Sequence, residues 1–344
     1  MNPDKHLLTH IKAYKLPGLY DIKKIWNPSW FQGNRQRSNY FEGWYNKLVD
    51  ASHEHAWAFI PGITLHKADK HAFVQAINGK TGQTWYLRYP LEQFRYSRKA
   101  YYAEIGRNRF SRDFMELDID RDDAVFKGRI DFEGQVGYSA TLRRPGIMGW
   151  YRYMPFMQCY HGVVSMNHKL SGRLQADGQP IDFTNGKGYI EKDWGSAMPK
   201  NWIWMQCNHF ERENVSFMLS MADVPWIGKS FPGFLGFLLL DGKTYHFATY
   251  TGARISKLQK EKNEVSLSIL AKGFQLNIHG RKDGVSASKG ALKAPVEEGM
   301  ARIIHENINA RLHLTLTDRR GELLFEGTGL NAGLEIVDPG DSPD

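Results

Sequence analysis

The stretch GYIEKDWGSAMPKNWIWMQCN, residues 188–208, sets Trp194, Trp202 and Trp204 beside Glu191, Lys192 and Asp193. Side chains alternate between the two faces of a strand. Read as strands broken at SAMPK (196–200), the stretch sorts its residues into faces. Tyr189, Glu191 and Asp193 share one face, with Ile190, Lys192 and Trp194 on the other. Trp202, Trp204, Gln206 and Asn208 share a face in the second strand, backed by Ile203, Met205 and Cys207. A face mixing indoles with carboxylates and amides is neither plain core nor plain surface. It has the make-up of a ligand pocket, mostly apolar with a few placed polar groups. The plainer alternative is that the indoles fill a barrel and the carboxylates pair with Lys192 or an arginine.

The same alternation recurs along the chain, punctuated by turn signals at Asn78-Gly79, Asp177-Gly178, Asn185-Gly186, Asp241-Gly242 and Asp283-Gly284. Helical periodicity is scarce, and aromatics make up 13% of the 344 residues, which suits strands. A shift of about 160 residues brings Trp44 onto Trp204, the GQTW tetrad (82–85) onto GKTY (242–245), and Phe114 onto Phe274. The expected fold is therefore all-β, with two tandem antiparallel barrels of the lipocalin kind and a pocket in or between them. The predicted division is an aromatic, proline-rich N-terminal cap over 1–38, one barrel over 39–197, a second over 198–338, and a tail over 339–344. The same shift places Glu42 and Trp44 of YFEGWYNKL alongside Trp202 and Trp204 as a wall from the first half.

Composition narrows the function classes. A net charge of +8 without a basic block argues against nucleic acid as a partner and leaves open contact with an anionic membrane surface. Cys159 and Cys207 match no zinc or redox spacing, which suits a reducing compartment. No signal-like segment opens the chain, and the apolar run 231–240 is too short to span a bilayer. The expected location is cytoplasmic, with peripheral membrane contact left open. No P-loop, dinucleotide fingerprint, HExxH or nucleophile elbow occurs. His53 and His55 lack a third ligand and read as a satisfied surface pair, so neither metal nor cofactor is expected.

YFEGWY (40–45), EKDWG (191–195) and PKNWIWMQCNHF (199–210), with KAP (293–295) and EGTGLNAGLEI (326–336), resemble the tocopherol cyclase family from about residue 20 to 338. Plant cyclases look like EKNWG where this chain has Asp193. A more distant similarity is to carotenoid 1,2-hydratases, whose catalytic Tyr and Asp fall at Tyr189 and Glu191. The resemblance implies two lipocalin-like barrels and proton-driven chemistry. An acid protonates a prenyl alkene, and a phenol oxygen closes on the tertiary cation. It casts Glu191 as the acid, Tyr189 as its companion and Asp193 as a rival acid. Glu42, Trp44, Trp194, Trp202, Trp204, Gln206 and Asn208 are cast as the substrate-binding wall, and Lys192 as pointing away towards a carboxylate. A desolvated carboxylate beside indoles is expected to hold its proton. The expected partner is a hydrophobic small molecule, with oligomeric state open. The competing expectations are a non-catalytic carrier of such a molecule and a structural protein with filled barrels.

Overall fold

The computed structural model describes residues 8–10, 18–36, 38–67, 69–155, 157–226, 229–283, 291–297 and 299–338. The Asp283-Gly284 turn, the 339–344 tail and parts of the 1–38 segment lie outside them. The described residues form two antiparallel sheets. In the first, the Phe41–Val49 strand lies between Lys187–Gly195 and Ala56–His66, which leads on to Asp69–Asn78 and Thr84–Tyr89. Beyond Lys187–Gly195 come Cys159–Ala176, Ala124–Val136 and Phe114–Arg121. The second sheet repeats this order. Trp202–Cys207 lies between Leu323–Val337 and Val215–Trp226, followed by Lys229–Leu240 and Lys243–Ala248. On the far side of Leu323–Val337 lie Gly299–Asp318, Phe274–Arg281 and Glu264–Ala271. Hairpins close at Asp177-Gly178 and Asp241-Gly242, whereas Asn185-Gly186 joins two strands that both pair with Cys159–Ala176 rather than with each other. Asp177 and Gly178 have φ of 51° and 75°, and Asp241 and Gly242 have 49° and 81°. Two successive positive φ values are the type I′ geometry, whose twist matches the flanking strands.

Ring contacts show that each sheet rolls up on itself. Ala56–His66 and Ala124–Val136 are four strand steps apart in the first sheet. Flat, they would be separated by about 19 Å. Yet Phe59 and Phe126, one on each strand, meet edge to face at 5.4 Å. Trp57 lies 5.7 Å from the same Phe126 ring, and Trp85 lies 5.2 Å from it. In the second sheet, six steps separate Lys243–Ala248 from Phe274–Arg281, about 29 Å if flat. Tyr245 and Phe274 nonetheless touch at 5.3 Å. Each barrel wraps its own apolar core. Trp44, Trp57, Phe59, Trp85, Phe94 and Phe126 are buried within the first. Ile203, Met205, Cys207, Leu238, Phe247 and Leu334 are buried within the second.

The chain divides into two compact units: 1–76, 85–198 and 293–302 in one, and 77–84, 199–292 and 303–344 in the other. The repeat needs correcting at one point. Trp44 faces the core of its barrel, whereas in the Trp202–Cys207 strand the core residues are Ile203, Met205 and Cys207. Trp204 therefore points away from its core, and the shift that matches Trp44 to Trp204 is one residue out of register for that strand. A one-residue slip exchanges the two faces of a strand. The hairpin match survives, because Trp85 is core in the first barrel and Tyr245 packs against the core of the second. His53 and His55 fall in the turn over 51–55, not on a strand.

Phe126 closes the first barrel by contacting three rings from strands across the lumen. Phe126→Ala is expected to lower the unfolding free energy by about 3–5 kcal/mol in urea titration.

Candidate active site

Pairing register decides which side chains meet, because residues directly opposite each other on adjacent strands share a face. Along Lys187–Gly195, Glu191 is opposite Tyr45 on one side and Val163 on the other. Asp193 is opposite Gly43 and His161. Lys192 is opposite Trp44 and Gly162, and Trp194 is opposite Glu42 and Tyr160. One strand thus serves two chemistries, a Tyr189–Glu191–Asp193 face and a Lys192–Trp194 face directed at the core.

On the first face, four polar side chains form a row. The Tyr189 hydroxyl donates to Glu191 Oε2 at 2.6 Å. His161 Nε2 lies 3.5 Å from that same oxygen, an ion-pair distance longer than a full hydrogen bond. His161 Nδ1 lies 2.8 Å from Asp193 Oδ1. Side-chain exposure falls along the row, from 28% at Asp193 to 10% at His161 and 5% at Glu191, and Tyr189 is fully buried. Burial by itself would push the His161 pKa down. The charges of Asp193 and Glu191 and the hydrogen bond to Asp193 outweigh it and raise the value to about 9. The imidazole is therefore protonated at neutral pH. Burial and the neighbouring Glu191 charge hold the Tyr189 hydroxyl far above its ordinary pKa, so it remains a donor. Burial likewise raises the Cys159 thiol, whose sulfur lies 4.0 Å from Asp193 Oδ1. That thiol stays protonated and is a poor nucleophile.

The opposite face holds a buried ion pair. Lys192 Nζ meets Glu42 Oε1 at 2.5 Å, with neither side chain exposed. Glu42 also accepts from the Gln32 and Gly33 amides, each at 2.9 Å, and from the Tyr40 hydroxyl at 2.5 Å. Lys192 donates to the carbonyls of Pro28, at 3.0 Å, and of Trp30. The rings of Trp44 and Trp194 lie 4.7 and 4.9 Å from its ammonium. Desolvation outweighs the Glu42 charge and lowers the Lys192 pKa to about 8, which leaves it charged at neutral pH. The 28–33 segment can reach this pair because Gly162 has no side chain: a Cβ there would lie 2.8 Å from Pro28.

Glu42, Trp44 and Trp194 are thus not part of the wall around Glu191 that the sequence suggests; they lie behind its strand. Trp44 donates to the Ser29 carbonyl at 3.0 Å and stacks on Tyr101 at 5.2 Å. Trp194 stacks on Tyr160 at 5.6 Å, and Arg152 lies 4.9 Å from its ring. Trp202, Trp204, Gln206 and Asn208 belong to the second unit, where all four are buried. There Trp202 Nε1 donates to Glu335, Gln206 reaches Asn208 at 3.5 Å, and the Trp204 ring lies against Gly333. His161 is the participant that sequence reasoning missed. It is a single histidine in CYHGVV (159–164), and only the antiparallel register brings it opposite Asp193.

The donor atoms of His161, Glu191 and Asp193 lie within 4.8 Å of one another, close enough to hold a metal ion. In the geometry present, the three groups are linked to each other and to Tyr189 instead.

The sequence profile of the family described as tocopherol cyclase-like matches residues 117–337, which include the acid row and the Trp202–Cys207 strand. The chain belongs to the tocopherol cyclase-like family. The profile does not extend to the YFEGWY motif at 40–45. Among family relatives, the probable chloroplastic tocopherol cyclase of Oryza sativa subsp. japonica is 26% identical over 208 residues, covering 57% of this chain and 43% of that protein. The chloroplastic tocopherol cyclase of Zea mays is 24% identical over 208 residues, covering 55% and 41%. The chain thus spans less than half the length of these plant relatives. The crystal structure of CghA with Sch210972 aligns over 88% of this chain and 89% of that one, with a TM-score of 0.53 and 11% identity. That likeness shows a shared two-barrel, lipocalin-like fold. Among the described residues, no helix is long and apolar enough to cross a membrane.

Two consequences are measurable. His161 binds its proton more tightly in the folded chain, at about 9 against 6.5. Its contribution to stability is therefore complete below pH 6.5 and is lost as pH rises towards 9. The melting temperature is expected to fall across that window, and His161→Gln is expected to flatten the fall. Lys192→Ala leaves Glu42 buried without its counter-ion and is expected to cost about 3–5 kcal/mol in urea titration. Adding Glu42→Gln to Lys192→Ala is expected to recover only part of that loss, because it removes the uncompensated charge but leaves the Pro28 and Trp30 carbonyls without the ammonium.

Proposed function

We propose that this chain is a proton-initiated cyclase acting on a prenylated quinol or a similar apolar, polyunsaturated substrate. The row Asp193–His161–Glu191–Tyr189, graded from part-exposed to fully buried, carries the reading. Family membership supports it. Glu191 is the general acid, the deepest carboxyl group of the row. Its proton passes to one carbon of a trisubstituted alkene, and the π electrons form the new C–H bond. A tertiary cation remains on the neighbouring carbon. A substrate phenol oxygen attacks that carbon, forms the C–O bond and releases its proton to the Glu191 carboxylate. Substrate and product are isomers, and the acid is regenerated without a redox step.

The other three groups support that proton. Tyr189 donates to Glu191 Oε2 and stabilises the carboxylate that exists between the two transfers. His161, protonated at neutral pH, can hand its Nε2 proton to Glu191, after which the neutral imidazole keeps its Nδ1 proton directed at Asp193. It takes the proton back at Nε2 when Glu191 is reprotonated by the substrate phenol. In this reading Asp193 holds and stabilises the imidazolium and is not the acid that meets the alkene. A carrier of apolar molecules has no need of this arrangement, since each buried charge costs several kcal/mol.

The test is incubation with a prenylated quinol, followed by chromatography for an isobaric product. Glu191→Gln is expected to reduce turnover by about 10²–10⁴-fold. Asp193→Asn is expected to slow turnover less and to alter its pH profile, and binding is expected to persist in both variants. Full turnover by Glu191→Gln would rule out its role as the acid. Tight binding without turnover by the unaltered chain would favour the carrier.

A further inference from the structure

Ten large apolar side chains are exposed among the described residues, and five of them come from two short segments of the first unit. Leu19 and Ile22 lie one turn apart on the Leu19–Lys23 helix. Leu142 lies in the loop before the Gly149–Tyr153 3₁₀ helix, which carries Trp150 and Tyr153. Their exposure runs from 39% for Tyr153 to 78% for Leu142. The two segments touch. The Trp26 ring meets Tyr153 edge-on at 6.1 Å. Arg152 donates to the Lys24 carbonyl at 3.2 Å and to the Gln32 side chain at 2.5 Å. Tyr153 in turn donates to the Leu142 carbonyl at 2.5 Å.

Charge accompanies these apolar groups. Residues 18–36 and 137–155 contain six basic residues (Lys23, Lys24, Arg35, Arg143, Arg144 and Arg152) against one acidic residue, Asp21. Asp21 is already paired with Lys24 at 3.3 Å. Lys23 and Arg143, adjacent in sequence to Ile22 and Leu142, are exposed.

We propose that this patch docks the protein on an anionic lipid bilayer. Tryptophan, tyrosine and leucine project singly from short turns, a form suited to a fluid interface, where such rings are favoured. Lys24 and Arg152 are spent on internal hydrogen bonds, and the exposed Lys23, Arg35 and Arg143 match a negatively charged headgroup layer. The inference stands independently of the proton chemistry, which uses other residues.

Vesicle co-sedimentation tests it, comparing phosphatidylcholine vesicles with vesicles that also contain phosphatidylglycerol. The full chain is expected to partition onto the anionic vesicles and to be released by added salt. Two double variants, Leu142→Ser with Trp150→Ser and Lys23→Glu with Arg143→Glu, alter exposed side chains only. Each is expected to weaken partitioning by at least about tenfold while keeping the unaltered melting temperature. Failure of the unaltered chain to bind anionic vesicles would overturn the proposal, as would full binding by both variants. A lipid-free dimer in sedimentation velocity, lost in the Leu142→Ser, Trp150→Ser variant, would also overturn it and assign the patch to a second copy of the chain.

Discussion

The Lys192–Glu42 ion pair is the constraint on which the first barrel depends. Removing two charges from water costs several kcal/mol for each ion, and attraction alone does not always offset it. Here both ions are fully coordinated. Glu42 accepts from two backbone amides, a tyrosine hydroxyl and the ammonium. Lys192 gives its three protons to Glu42, Pro28 and Trp30, between two indole faces. The pair joins three pieces of chain that are far apart in sequence: the 28–33 segment, the Phe41–Val49 strand and the Lys187–Gly195 strand. Phe31, from the same segment, enters the core and packs against Phe94 and Tyr96 at 5.2 and 4.2 Å. The 28–33 segment is thereby built into the barrel.

What fixes Lys192 also fixes its neighbours. Strand alternation means that holding Lys192 and Trp194 against the core turns Glu191 and Asp193 the other way. Register then places His161 between the two carboxylates. The position of a proton in such a row depends on small distances, and the row lies on a strand paired on both sides with its rear anchored by an ion pair. Functional groups on paired strands are placed more closely than groups on loops.

Local patterns carry much of this in the sequence, and long-range pairing carries the remainder. Alternation in residues 188–208 sorted Glu191 from Lys192 correctly, and Asp-Gly dipeptides located hairpins. A carboxylate partner for Lys192 was also legible, because a charged residue on a core-facing position needs one. Which carboxylate it would be was not, since Glu42 is distant in sequence and its face depends on register. The shift that equated Trp44 with Trp204 failed for the same reason: sequence identity between repeats carries no information on a one-residue slip. His161 left no local signal. A lone histidine between apolar residues reads as a satisfied core group until a neighbouring strand puts carboxylates beside it.

The two barrels share a strand order but not an interior. In the second, the core-facing residues of Trp202–Cys207 and its neighbour Leu323–Val337 are apolar: Ile203, Met205, Cys207, Leu334 and Ile336. In the first, the matching pair of strands sets Glu42 and Lys192 into the core-facing side. The difference follows from what each interior must accommodate. The 28–33 backbone enters the first barrel with amides and carbonyls that lack strand partners, and buried backbone groups must be satisfied. A carboxylate answers the Gln32 and Gly33 amides, and an ammonium answers the Pro28 and Trp30 carbonyls. The ions also neutralise each other, so one pair satisfies four backbone groups without leaving net charge in the core. The charges inside the first barrel are explained by the chain that enters it, which leaves Glu191 and Asp193 on the other face exempt from that duty.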